Sequence, residues 1–300
     1  VNAVNTGRKN MIINGGFDVW QRGTSATKSG DGYGGYLSAD RWATYYNGTT
    51  VSRQTGTFNG STKYVARVAG LVNSTNYIYQ KIESASSFVS GKTVTQSYWA
   101  RANINTTLSS EYRFYNSGGE VNNVQTTLPT VSLTTSWQKF TDTRVLTDSS
   151  TDLTRDLFVL FKADCNSAGD YIEIADVQLE LGSVATDFEH RSYGEELELC
   201  QRYYWRAYDP YSLQGTRWNN EYFITVVYPT DMRSIPTLTK SRVGLFTVLS
   251  SGQTYASTNA IANVPSKQSC ELSVTCSSVG ASAAARFTAA TDWFALDAEL

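Results

Sequence analysis

The segment YIEIADVQLEL, at residues 171–181, carries the clearest fold signal in the chain. Apolar and polar side chains alternate along it with a period of two, which is typical of a β-strand that buries one face. The two isoleucines share one parity, and three later apolar residues share the other: Val177, Leu179 and Leu181. Because a one-residue slip would turn the buried face outward, the change predicts a β-bulge near Ala175-Asp176.

Similar short alternating segments occur on both sides of this strand. Each is bounded by Gly, Asn, Ser or Asp and is rich in β-branched or aromatic residues, as strands are. The segments before it are residues 63–68, 77–83, 94–101, 112–115, 137–145 and 157–162. Those beyond residue 205 are 222–228, 245–249, 272–276 and 285–289, followed by an apolar terminus at 293–300 that predicts a docked last strand. Regular short strands without intervening helices predict an all-β sandwich.

A single helical pattern interrupts the strands, at residues 192–204. Ser192 and Glu195 have the spacing of a capping box, in which each side chain satisfies the other residue's backbone amide. One face has helical spacing: Leu197, Cys200 and Tyr204. We expect this helix to link two domains.

Charge and hydropathy exclude several function classes. The chain has 300 residues, a net charge of −2 and no basic stripe, so we expect no nucleic-acid binding. Its longest apolar runs, such as residues 157–161, are far shorter than the roughly 20 residues that span a bilayer, so we expect no membrane insertion. The start, residues 1–5, does not have the pattern of a signal peptide.

Cysteine and histidine usage argues against a metal centre and against nucleophilic catalysis. Four cysteines are too few for a disulfide scaffold, and Cys270 and Cys276 would lie roughly 20 Å apart on one strand, so we expect reduced thiols. His190 is the only histidine and the only candidate base for a triad. A structural or solvent-exposed role suits it better.

Three stretches resemble phage tail-fibre and related virion proteins that begin with a jelly roll of carbohydrate-binding-module type. They are NMIINGGFDVWQRG (10–23) with ADRW (39–42), GKTVTQSYWAR (91–101), and VQLELGSVATDFE (177–189) running on to residue 204. Gln96 departs from the family, which usually has an inward apolar residue there. If Gln96 points inward, its amide needs hydrogen-bond partners.

The resemblance implies an all-β fold with three parts. These are a jelly-roll β-sandwich at 1–190, a short linking helix at 191–205 and a second, smaller β-domain at 206–300. It also implies a virion tail protein, extracellular after release, that forms a homotrimer and contacts other virion tail proteins. Folds of this type serve glycan binding, adhesion or plain spacing, so the fold alone does not decide among these roles.

Aromatic residues are the candidate glycan contacts, because flat rings can stack on the apolar face of a sugar. The candidates are Trp20, Trp42, Tyr45, Tyr46, Trp99 and Tyr115. The alternative is that these rings pack in the core or at a subunit interface. Alternation with Tyr98 favours an outward Trp99.

Asp18 and Asp176 are candidate ligands of a structural calcium ion. The resemblance implies this site, because carbohydrate-binding jelly rolls often hold calcium between the chain start and the last strand. Calcium takes six to eight oxygen ligands, and loop carbonyls could complete the set. The alternative is that both are ordinary turn and bulge acids.

The favoured function is binding of a host-surface polysaccharide or lipopolysaccharide by a tail-fibre or tail-tip component, without catalysis and with no required cofactor. The first alternative is a structural adaptor or decoration protein that binds no glycan. The second is a polysaccharide depolymerase, which would need a pair of carboxylates that the sequence does not single out.

Overall fold

The computed structural model describes residues 8–70, 77–116, 119–163, 165, 167–208, 212–219, 221–241, 246–250, 253–256, 259–263, 265–275, 282–287 and 293–299. The chain divides into two compact units, one ending at Glu196 and the other running from Leu197 to Glu299. This division falls inside the segment 191–205 that the sequence analysis assigns to a linking helix. Cys276 and parts of the segments 245–249 and 285–289 lie outside the described residues.

The first unit is a two-sheet β-sandwich with one short helix, α1 (Ser86–Val89). Its strands are β1 (Ser25–Thr27), β2 (Gly35–Tyr36), β3 (Ala43–Thr44), β4 (Thr50–Phe58), β5 (Ser61–Ala69), β6 (Tyr77–Ile82), β7 (Lys92–Ala102), β8 (Thr106–Asn116), β9 (Gly119–Thr127), β10 (Val131–Leu133), β11 (Gln138–Leu146), β12 (Asp156–Ala163) and β13 (Tyr171–Leu181). Sheet 1 has the order β1-β4-β5-β13-β7-β11. Sheet 2 has the order β10-β8-β12-β6-β3-β2, with β9 on β8. This is the expected jelly-roll sandwich.

Strand β13 contains the expected bulge. Its register against β7 shifts between Ala175 and Gln178, and Asp176 has a φ of 47°. The shift keeps apolar side chains of both parities in the core between the sheets: Ile172, Ile174, Val177 and Leu179. The alternation of β7 is also confirmed, since Tyr98 is buried in this core and Trp99 lies on the outer face of sheet 1.

Gln96 points into the core and is fully buried. Its side-chain carbonyl accepts a hydrogen bond of 3.0 Å from the Tyr112 hydroxyl. The amide nitrogen has no partner among the described residues. The core therefore carries one polar side chain that is half satisfied, at a position where an apolar residue would have cost less.

The second unit begins within helix α2 (Tyr193–Gln201). Ser192 and Glu195 form the expected capping box, since the backbone N–H of each residue donates to the other's side chain. The expected helix end at Tyr204 is wrong. The helix ends at Gln201, and Tyr204 begins a strand that pairs with the last strand of the chain.

The described strands of the second unit form two sheets. They are β14 (Tyr204–Tyr208), β15 (Ser212–Trp218), β16 (Glu221–Val227), β17 (Thr237–Lys240), β18 (Phe246–Ser250), β19 (Gln253–Ala256), β20 (Asn259–Asn263), β21 (Ser269–Thr275), β22 (Ser282–Phe287) and β23 (Trp293–Asp297). The orders are β14-β23-β17 and β19-β18-β22-β15-β16-β21-β20. Apolar residues from both sheets share one core, so this unit is the second, smaller β-domain. In the part of the chain that the structure describes, no helix has the length and apolar character needed to cross a membrane.

The N-terminal loop completes sheet 1 beyond the bulge. Strand β5 pairs with β13 only as far as Ile174. After that point the Val177 N–H donates to the Gly15 carbonyl at 2.9 Å, and the Met11 N–H donates to the Leu179 carbonyl at 2.8 Å. The loop therefore satisfies the edge of β13 that the bulge separates from β5.

Gly15 makes this close approach possible, which gives a test of it. A Cβ at Gly15 would lie 2.1 Å from the Val177 carbonyl oxygen, whereas one at Gly194 would meet nothing within 4 Å. We predict that Gly15→Ala lowers the free energy of unfolding by about 1–3 kcal/mol, the usual cost of overpacking. Urea unfolding followed by circular dichroism measures it. The control, Gly194→Ala in helix α2, should lose no stability, and equal stability of both variants would contradict the tight docking of the loop.

Candidate functional site

Two of the aromatic candidates lie in the core. Trp42 is 1% exposed, stacks on Phe17 with ring centroids 5.0 Å apart, and donates its indole N–H to the Asn14 carbonyl. Trp20 is buried too, and its indole N–H donates to the Phe17 carbonyl. Neither ring offers a face to a sugar, so the assignment of Trp20 and Trp42 to a glycan platform is corrected. They hold the N-terminal loop in the sandwich.

Three candidates meet on the outer face of sheet 2. Alternation places Ile78 and Ile82 of β6 in the core and turns Tyr77 and Tyr79 to this face. The rings gathered there form what we call the tyrosine cluster: Tyr33, Tyr45, Tyr46, Tyr77, Tyr79, Tyr115 and Phe158. Sequence reasoning named Tyr45, Tyr46 and Tyr115 but missed the others. The signal for Tyr77 and Tyr79 was present, since they alternate with isoleucines that had to be buried.

The tyrosine cluster has a buried base and a more exposed rim. Tyr79 and Phe158 stack at 5.3 Å in the base and are almost fully buried. The rim comes from the loops: Tyr33 is 38% exposed, and Tyr45 and Tyr46 are half-buried. Tyr45 meets both Tyr33 and Tyr46 edge to face, each at 4.7 Å between centroids. Such packing fixes the rim rings at an angle to one another and leaves part of each accessible.

Hydroxyl groups of the tyrosine cluster are hydrogen-bonded to each other and to the loop. The Tyr33 and Tyr115 hydroxyls lie 3.2 Å apart, and the Gly34 N–H donates to the Tyr79 hydroxyl at 3.0 Å. Desolvation by burial raises the pKa of Tyr33 and of Tyr77 above the ordinary value for tyrosine. These phenols therefore stay neutral at physiological pH and can both donate and accept hydrogen bonds.

Charged groups flank the aromatic base on β8 and β12. Glu111 accepts hydrogen bonds from Lys162 at 2.6 Å and from the Arg113 Nε at 2.9 Å. Desolvation alone would raise the pKa of Glu111, but the hydrogen bonds and charges of Lys162 and Arg113 outweigh it and hold this pKa below its usual value. Glu111 is therefore ionised at neutral pH. It does not meet the requirement for a general acid, which must carry a proton at that pH.

Trp99 belongs to a different surface. It packs on the outer face of sheet 1 beside Phe58 and Trp137, with ring centroids of Phe58 5.3 Å from Trp99 and 4.7 Å from Trp137. A Cβ at Gly56 would lie 2.7 Å from the Trp137 ring, so glycine there lets Trp137 cover strand β4. The structure thus separates Trp99 from Tyr45, Tyr46 and Tyr115, which lie on the other sheet.

Asp18 and Asp176 lie close enough to influence each other. Desolvation, and then the charge of Asp176, raise the pKa of Asp18, although the Asp18 side chain is exposed by surface area. Asp176 is buried, and the Lys63 ammonium lies 2.6 Å from its Oδ2. Among the described residues, no group of three or more His, Cys, Asp or Glu side chains is placed to hold a metal.

This donor set does not fit calcium. Lys63 already supplies the positive charge at Asp176, and an ammonium beside a divalent cation would be repelled. Calcium also needs six to eight oxygens, of which these side chains provide few. We derive no role for the ion.

Chelation tests that assignment. We predict that EDTA and millimolar calcium leave the melting temperature of the protein unchanged to within about 1 °C, because an ion that does not bind the folded state cannot stabilise it. Differential scanning calorimetry measures it, with magnesium as the matched control. A rise of several degrees that calcium alone produces would show that a calcium site exists.

No family model matches the chain, and no curated protein matches it. Solved structures with similar strand arrangements exist, all with low TM-scores. A CBM4 structure is 20% identical over 56% of this chain and 98% of its own, with a TM-score of 0.38. The CBM22-1 xylan-binding domain of Paenibacillus barcinonensis Xyn10C is 14% identical over 54% of this chain and 94% of its own, at 0.37. The enzymatically active domain of bacteriophage CBA120 tailspike protein 4 is 16% identical over 58% of this chain and 21% of its own, also at 0.37.

Proposed function

We propose that this protein binds a host-surface glycan through the tyrosine cluster and breaks no bond. The observation that carries the proposal is the convergence of Tyr33, Tyr45 and Tyr46 on one sheet face, beside hydrogen-bonding charged groups. Angled, partly exposed rings can stack on the apolar face of a sugar, while the neighbouring polar groups bond its hydroxyls. A carboxylate held ionised, Glu111, suits a hydrogen-bond acceptor for such hydroxyls.

The biological setting of the proposal is a virion. The sequence resemblance to phage tail-fibre proteins supports a tail-fibre or tail-tip component that contacts host polysaccharide or lipopolysaccharide and other tail proteins, extracellular after release. A homotrimer belongs to the same proposal. It would present three weak sites to one surface, where later contacts become effectively intramolecular and raise the overall affinity.

The main alternative is a structural adaptor that binds other virion proteins and no glycan. The aromatic face of sheet 1, around Trp99 and Trp137, favours it, because aromatic rings and arginines are enriched in protein interfaces. A depolymerase is less favoured, since the carboxylate beside the tyrosine cluster is held in its ionised form.

Loss of the rim rings tests the proposal. We predict that Tyr45→Ala and Tyr46→Ala each weaken binding to host cells, and to any glycan that an array identifies, at least tenfold, which corresponds to about 1.4 kcal/mol. Flow cytometry of labelled protein on host cells and a glycan array measure it. Circular dichroism confirms that each variant is folded.

The matched control is Trp218→Ala, which removes a ring that is 72% exposed in the second unit. It should bind as the wild type does. If the wild-type oligomer binds neither cells nor glycans, the proposal fails and the adaptor takes its place. Equal weakening in all three variants would show a general effect of aromatic loss and would also count against the tyrosine cluster.

A further inference from the structure

Three charged side chains lie side by side on the outer face of sheet 1. Arg67 on β5 and Arg101 on β7 are both directly opposite Glu173, which lies on β13 between them. The Arg67 Nη2 is 2.7 Å from Glu173 Oε1, and the Arg101 Nε is 2.6 Å from Oε2. The Glu173 side chain is fully buried, so it holds both guanidinium groups from below.

Both arginines keep unused donors on the solvent side. Of the nitrogens of Arg67, Nε and Nη2 donate to Glu173, whereas Arg101 donates only through Nε. Among the described residues, the Nη1 of Arg67 and both terminal nitrogens of Arg101 have no hydrogen-bond partner. The two side chains are 30% and 32% exposed, so these donors are within reach of a ligand.

Aromatic rings hold each guanidinium group in place. The Arg67 Cζ lies 3.8 Å from the centre of the Tyr171 ring, and the Arg101 Cζ lies 5.0 Å from that of Trp137. Stacking and a charged hydrogen bond together limit the rotation of a long side chain, so little conformational freedom remains to be lost on binding.

The local charge is positive although the chain is not. Two arginines on one glutamate leave an excess of one positive charge, and the exposed Lys139 lies opposite Trp99 on the same face. The whole chain has a net charge of −2. A single arginine would have neutralised Glu173, so the second one is not needed to pair the buried carboxylate.

We infer that Arg67 and Arg101, with Tyr171 and Trp137, form a binding site for an acidic sugar, whose carboxylate bonds the two guanidinium groups while its ring packs on the aromatic side chains. The planar guanidinium fork matches a carboxylate in geometry. The site lies on the other sheet from the tyrosine cluster, and it stands or falls independently of the function proposed there.

Calorimetric titration of the full-length native oligomer tests the inference. The probes are oligosaccharides of galacturonate, of alginate and of hyaluronan, with inorganic phosphate as a separate arm. We expect at least one uronate probe to bind, more weakly as sodium chloride rises, and its methyl ester to bind at least tenfold more weakly. Arg101→Gln should weaken uronate binding at least tenfold.

Two further variants separate the site from general effects. Lys139→Gln removes a charge from the same face and should change the dissociation constant less than threefold. The double variant Arg101→Gln with Glu173→Gln preserves a balanced core and should lose binding even if the single variant does not fold. Tyr45→Ala should keep uronate binding, which distinguishes this site from the tyrosine cluster.

Three results would overturn the inference. They are no binding of any uronate probe at millimolar concentration, equal binding of a uronate and its methyl ester, and tighter binding of inorganic phosphate than of the uronates. Unchanged binding in the folded double variant would overturn it as well.

Discussion

The first unit depends on how the buried N-terminal loop satisfies its backbone polar groups. Asn14 is fully buried, and its side-chain amide donates to the carbonyls of Val19 and Asp40 while its carbonyl oxygen accepts from the Val19 N–H. Its own N–H donates to Glu196. An unpaired buried peptide group costs about 1–3 kcal/mol, so a loop without these partners would not stay inside the sandwich.

This loop determines which aromatic residues reach solvent. Arg191 is largely buried and donates to the carbonyls of Asn10 and Ile12, which fixes the loop from its other side. With the loop fixed, Trp20 and Trp42 point inward, and the chain that follows crosses the outer face of sheet 2. The tyrosine cluster is built by that crossing, because Tyr33, Tyr45 and Tyr46 come from the loops and Tyr77 and Tyr79 from the sheet beneath.

Much of the fold follows from period-two alternation, and the departures have physical causes. The bulge at Asp176 was predictable because a parity change must be absorbed somewhere if both halves are buried. Strand β4 was missed because its sequence, TVSRQTGTF, has few apolar residues. The helix was extended too far because Tyr204 continues the helical spacing, whereas pairing with β23 ends the helix sooner. Trp20 and Trp42 were misassigned because alternation says nothing about residues in loops.

The candidate sites were less predictable than the fold, since they depend on which loops cover which face. Tyr115 was named from its type alone and lies in the buried base of the tyrosine cluster. The charged row of Arg67, Glu173 and Arg101 requires the strand order β5-β13-β7, which joins residues about 70 to 110 positions apart in the chain. Alternation places each on an outer face but does not make them neighbours.

Hydrogen–deuterium exchange of the intact protein, with and without saturating host polysaccharide, is the most direct test of the central claim that the tyrosine cluster contacts the sugar. The account predicts that added polysaccharide slows exchange in peptides covering residues 30–47 and leaves peptides covering 14–20 unchanged. Protection confined to other segments, with none at 30–47, would contradict it.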